Sequence, residues 1–180
     1  MVSKKVGLVS LLLLVFYGGV LCAGNGVSAL KAGEEPEFFD LVNKKAGFTI
    51  SVPQNWDTAQ KFFGAMTMLI SPDGASLNVV LDELADEITT KEYVDKSDSE
   101  YPKMFKKFEQ HQREPFVSED LMGILSTYSY ERDGKRTKLM QVVFAFGRRV
   151  YVLSCGADVD LYPKYEPVFR KIVGSFKLTK

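Results

Sequence analysis

Four carboxylates fall within six positions, Asp82, Glu83, Asp86 and Glu87, between a strand-like apolar run and a helix start. Carboxylate oxygens suit calcium or manganese, so a metal, if the chain takes one, belongs here. The spacing lacks the alternation and the glycine of an EF-hand loop, and a solvated acidic loop is the preferred reading. His111 is the sole histidine, so a histidine-rich transition-metal site cannot be built within one chain. Cys155 and His111 have the types of a nucleophile and its base, the starting point for a cysteine-dependent hydrolase. Cys155 alternates with Tyr151 and Leu153, however, which places it on a buried strand face as a small core residue. No Gly-x-Ser-x-Gly elbow, His-Glu-x-x-His pair or glycine-rich phosphate loop occurs. The expectation is a protein without catalytic residues or a resident cofactor, with calcium at the four acids as its one metal hypothesis.

Binding chemistry is the remaining class. Lys103, Lys106 and Lys107 flank Tyr101, Phe105 and Phe108, while Lys135, Arg136, Arg148 and Arg149 decorate two hairpin turns at opposite ends of a sheet. Each reads as solvated surface before it reads as a recognition patch. The hydroxyl-rich run Ser126-Thr127-Tyr128-Ser129-Tyr130 either lines a groove or forms the exposed face of a sheet, and the exposed face is preferred. Lysine plus arginine and aspartate plus glutamate both number 23, so no overall field draws the chain to nucleic acid.

These residues need a frame. Lys4 and Lys5 precede an apolar run from Val6 to Tyr17, followed by small residues, the pattern of a secretory signal over residues 1–29. Cleavage fits after Ala23 or Ala29, and the run from Val6 to Ala23 also approaches the roughly 20 residues of an uncleaved anchor. Leu21 directly before Cys22 departs from a bacterial lipobox. Removing residues 1–29 deletes Lys4 and Lys5 and no acid, leaving 21 basic against 23 acidic groups. The expected location is exported, periplasmic or extracellular, with membrane contact only through an uncleaved N-terminal segment. Cys155 is then alone, so the core must hold without a disulfide.

Residues 30–37 read as a flexible spacer and 38–180 as one domain. Phe48, Ile50 and Val52 alternate with Thr49 and Ser51, Pro53 ends that strand, and Trp56 follows as a core anchor. Phe39, Leu41 and Val42 supply a partner strand through a turn at residues 43–47. A second hairpin turns at Pro72-Asp73-Gly74, with Leu77, Val79 and Leu81 on one face and Ser76, Asn78 and Asp82 mostly on the other. Thr89-Thr90-Lys91-Glu92 has capping-box spacing, opening a helix whose stripe is Tyr93, Val94, Tyr101, Met104, Phe105 and Phe108, kinked near Pro102. From Pro115 a strand meander runs to Ala157, turning at Asp133-Gly134 and Gly147-Arg148. Asp160 then reads as the N-cap of a closing helix with Tyr165, Val168, Phe169 and Ile172 on one face, ended by Gly174. The fold class is α+β, an antiparallel sheet covered by helices.

The run Gly47-Phe48-Thr49-Ile50-Ser51-Val52-Pro53-Gln54-Asn55-Trp56, the Ser71-Pro72-Asp73-Gly74 hairpin, the strands from Tyr128 to Val152 and the closing segment from Tyr165 to Phe176 together resemble the PsbP and DcrB-like proteins. That resemblance covers roughly Phe38 to Leu178 and implies the Mog1/PsbP-like fold, a central antiparallel sheet flanked by helices. It implies a non-enzymatic, exported binding or accessory domain of the bacterial cell envelope, whose partner is an envelope protein or small ligand. The alternative it carries is a photosystem II-associated lumenal subunit linked to calcium retention. The simple secretory signal favours the envelope class.

Overall fold

The computed structural model describes residues 36–58 and 65–179. The expected signal at 1–29 and residues 30–35 of the expected spacer lie outside the described residues.

Among the described residues ten strands and two helices follow one another: β1 (Phe38–Asn43), β2 (Phe48–Pro53), β3 (Asp57–Thr58), β4 (Ala65–Ile70), β5 (Ser76–Glu83), α1 (Thr90–Met104), β6 (Lys106–Ser118), β7 (Leu121–Arg132), β8 (Lys135–Phe146), β9 (Arg149–Asp158), α2 (Tyr162–Gly174) and β10 (Lys177–Leu178). All described pairings are antiparallel. They form a seven-stranded sheet, β3-β4-β5-β9-β8-β7-β6, and a separate three-stranded one, β1-β2-β10. The N-terminal hairpin thus forms as its alternation predicts, but β2 becomes the centre of the small sheet rather than a strand of the main one.

The small sheet and α2 share one layer over the main sheet. Phe48, Ile50 and Val52 of β2 point into a core with Leu77, Val142, Phe144, Tyr151 and Leu153 of the main sheet and Phe169, Ile172 and Phe176 of the closing segment. The i, i+3, i+4, i+7 face expected of α2 is buried along its length. Trp56 meets the rings of Tyr165 and Phe169 edge-on at 6.0 and 6.4 Å, the anchor its position after Pro53 implies. Phe176 stacks on Phe144 at 5.3 Å, and the tail continues into β10 beside β2. Asp160 does not cap α2: the helix starts one turn-residue later, with Leu161 at the N-cap position and no side-chain cap. Pro163 occupies the first turn, where a missing N–H is free of cost.

Helix α1 lies on the opposite face, over β6, β7 and β8. Its capping box forms as spaced: Glu92 N donates to Thr89 Oγ1 at 3.2 Å and Thr89 N donates to Glu92 Oε2 at 2.9 Å. The expected stripe is cut short. Pro102 sits in the last turn, the helix ends at Met104, Phe105 is already extended, and Phe108 belongs to β6. The rings still converge, because Tyr101 packs against Phe105 and Phe108 at 5.8 Å each.

Strand β6 is longer than the sequence suggests, starting nine residues before Pro115. It is an outer strand with two bulges. Register slips between Lys106 and Glu109, where Lys107 has φ 49°, and again between Gln110 and Gln112, which leaves His111 as the extra residue. At its far end the β6–β7 hairpin bends toward α2, where Ser118 Oγ donates to Gly174 O or Phe176 O, 2.9 and 2.8 Å away. Gly123 permits that bend, since a Cβ there would stand 2.6 Å from Val143 O and 2.7 Å from the Phe144 ring.

Candidate functional site: a polar strip beneath helix α1

The residue types singled out for chemistry are dispersed. Asp82, on β5, accepts from Tyr93 Oη at 3.3 Å, and burial pushes its carboxyl above the usual aspartate range against that bond. Glu83 approaches Arg149 Nε at 3.9 Å. Asp86 and Glu87 lie in the loop to α1, which is tied to the β8–β9 turn by Leu84 N to Arg148 O and Ile88 N to Gly147 O. Among the described residues no three His, Cys, Asp or Glu side chains converge on a point that could hold a metal ion.

Cys155 and His111 are not brought together. They stand on β9 and β6 with β8 and β7 between, roughly 14 Å at ordinary strand spacing. Cys155 is fully buried, and burial pushes its thiol far above the ordinary range. His111 is exposed, its Nε2 2.8 Å from Ser129 Oγ, which also accepts from Arg136 Nη2 at 2.8 Å. Arg136 is further fixed by Glu109 Oε2 at 2.7 Å and Lys107 O at 2.8 Å. Lys103 and Lys107 are paired with Glu100 and Glu131.

The hydroxyl-rich run reads differently in the structure. Ser126 to Tyr130 is buried on both faces of β7, not an exposed face. Neighbouring strands cover its edges, α1 covers one side, and the Arg136 and His111 side chains close over Ser129 on the other. On the α1 side the registers line up one polar residue from each of five strands: Arg113 opposite Ser126, Ser126 opposite Gln141, Gln141 opposite Ser154, Ser154 opposite Asn78. Tyr101 Oη donates from α1 to Gln141 Oε1 at 3.0 Å, and Gln141 Nε2 donates to Ser154 Oγ at 3.3 Å. Arg113 reaches up to Asp95 at 2.6 Å and Asp98 at 3.1 Å, and Tyr128 Oη donates to Asp98 at 2.7 Å. Ser126 Oγ and Asn78 Oδ1, each on a residue 2% exposed, have no hydrogen-bond partner among the described residues.

From Ser126 to Asn78 the strip presents neutral donors and acceptors, with the Arg113–Asp95–Asp98 ion pairs at its β6 end. Burial pushes the Tyr101 and Tyr130 phenols up to about 12, and Tyr93 and Tyr128 further, so all four keep their protons at neutral pH. A shallower cleft of about 450 Å3 lies elsewhere, between the hairpin and β4, lined by Leu41, Val42, Lys44, Met66, Met68 and Leu69. The hydroxyl-rich run points only to Ser126 of the strip; the rest is assembled by register across strands far apart in the chain.

Solved structures share the architecture. The cyanobacterial PsbP protein CyanoP of Synechocystis sp. PCC 6803 is 13% identical with a TM-score of 0.59, covering 84% of this chain and 98% of its own. The Ran-binding protein Mog1p of Saccharomyces cerevisiae is 12% identical with a TM-score of 0.60, covering 81% and 97%. LpqN of Mycobacterium tuberculosis, described as involved in cell envelope biogenesis, is 15% identical with a TM-score of 0.58, covering 80% and 91%. At such identities the likeness shows the fold, which is the α+β, Mog1/PsbP-like fold expected from the sequence. No curated protein matches the sequence. The DcrB family model matches residues 48–175, from the start of β2 to the end of α2, and the chain belongs to the DcrB family.

Proposed function

We propose that the protein is an exported accessory domain of the cell envelope that acts by binding a partner protein and catalyses no reaction. The observation that carries this reading is the DcrB match over residues 48–175, behind an N-terminal segment with the charge, apolar run and small residues of a secretory signal. Two features support it. LpqN, of the same fold, is described by its role in envelope biogenesis, and Mog1p is described by the protein it binds. The described side chains also favour binding over catalysis, since Cys155 is buried on β9, three strands from His111 on β6.

Fractionation of the native host with a C-terminally tagged chain tests the location, and chemical crosslinking in the same cells followed by capture tests the partner. The expected result is a tagged protein in the envelope fraction, crosslinked to one protein in defined stoichiometry. A tagged protein found wholly in the cytosol overturns the envelope assignment, and turnover of an ester or peptide substrate by the purified chain overturns the non-catalytic one, with Cys155→Ala and His111→Ala reporting whether those residues carry it.

A further inference from the structure

Helix α1 rests on a sheet face already furnished for water. Its buried residues are Tyr93, Val94, Ser97 and Tyr101, whereas α2 buries Tyr162, Tyr165, Val168, Phe169, Ile172 and Val173. Beneath α1 lie Ser126 and Gln141, the first with its hydroxyl unpartnered among the described residues, and the line continues by register to Ser154 on β9 and Asn78 on β5. A buried acceptor or hydroxyl without a partner is destabilising, and admission of water removes that penalty. The strongest polar ties are those of Arg113 to Asp95 and Asp98, on side chains 30%, 42% and 14% exposed, which salt screens. The aromatic residues that follow the helix do not belong to it. Phe105 stacks on Tyr130 at 4.5 Å and Phe108 lies against Tyr128 at 5.4 Å. They remain on the sheet when α1 leaves; what its departure uncovers is the cluster of Val80, Leu139, Val143, Val150 and Val152, smaller than the core beneath α2.

We infer that α1 is a detachable cover: it lifts from the sheet in a local, salt-sensitive opening while α2, the small sheet and the seven strands remain folded. The hinges are the loop at 84–89, held to the β8–β9 turn, and the residues at 105–107, where Lys107 already has positive φ. Opening uncovers Arg113, Ser126 and Gln141 of the strip and nothing of the α2 core. The device stands independently of where the protein resides.

Hydrogen exchange of the full chain, read by mass spectrometry at low and high sodium chloride, tests it. Amides of α1 beyond the first turn are expected to exchange at least about tenfold faster than those of α2, with the gap widening as salt is added. Arg113→Gln should reproduce the high-salt pattern at low salt and leave α2 unchanged, while Arg113→Lys keeps part of the protection. Asp95→Asn removes one tie from the helix side and provides the same reading should Arg113→Gln fail to fold. Exchange of α1 and α2 at one common rate, or α1 protection indifferent to salt and to both substitutions, overturns the proposal.

Discussion

On one side of β8, Met140, Val142 and Phe144 enter a layer built from α2 and the small sheet; on the other, Leu139, Gln141 and Val143 meet α1. The first side is closed by rings and aliphatic chains: Phe48, Phe144, Phe169 and Phe176 are all fully buried in it. The second mixes a smaller apolar cluster with a polar strip and fixes its helix by hydrogen bonds and a three-way ion pair. Non-directional burial makes the first side the stability reservoir, since apolar area removed from water sums without geometric demands. The second side gains less from burial and more from register, and so can be altered or opened without dissolving the domain.

Two carboxylates carry the same contrast. Asp73, at the β4–β5 turn beside α2, is desolvated, but Lys164, Tyr165 and Ser71 hydrogen-bond it strongly enough to hold its carboxyl below the usual range. Asp82, beneath α1, is desolvated with only the Tyr93 hydroxyl in compensation, and its carboxyl is pushed up.

The largest test of the contrast is Phe169→Ala, which removes a ring in contact with Trp56, Tyr162 and Tyr165. Denaturant unfolding should show a loss of about 3–5 kcal/mol; a loss no greater than that of Val94→Ala on the α1 side would erase the distinction. Asp73→Asn comes next. With a folded pKa below its unfolded value, Asp73 stabilises the fold above the ordinary aspartate value of about 3.9 and ceases to as pH falls through its lowered value. The variant should therefore lose about 1–3 kcal/mol at neutral pH and approach the parent in strong acid, as measured by paired melts. Thr89→Ala, which strips the cap from α1, should lower stability by about 1 kcal/mol while leaving the near-ultraviolet signature of the α2 aromatics in place. Asp82→Asn has the opposite sign to Asp73→Asn. Its folded pKa is raised, so its contribution is present below about 3.9 and lost as pH rises through the raised value. The variant should melt slightly higher than the parent at neutral pH and converge with it in acid. Smallest of all, millimolar calcium should leave the melting curve unmoved, because Asp82 and Glu83 face Tyr93 and Arg149 and do not converge with the loop acids; a clear upward shift would restore a metal at these carboxylates.

Much of the frame was legible because local chemistry and tertiary demand agree. The alternation at Phe48, Ile50 and Val52, the capping box at Thr89, the turn at Asp133-Gly134 and the helical face of α2 each appear where the residues point. Failures occur where they disagree. Lys106 to Glu114 lacks a clean period of two because β6 is an outer strand interrupted by bulges, and Phe105 and Phe108, spaced like helix neighbours, face Tyr130 and Tyr128 from a strand. Asp160 has a capping side chain but stands two residues before α2 begins. The strip was hidden for a further reason. Ser126, Gln141, Ser154 and Asn78 each look like the polar half of an alternating strand, and only the register of three ladders shows that those halves are buried in one line.

The outer strand β6 has a bearing on how the molecule lives among copies of itself. Thirteen residues of open ladder would ordinarily invite a second sheet to dock by its backbone. Here two bulges break the spacing of the outward N–H and C=O groups, Pro115 deletes a donor, and charged residues from Lys106 to Glu114 line the rim. A strand laid alongside would find no run of evenly spaced partners longer than a few residues. This edge is accordingly ill suited to zipping onto a copy of itself.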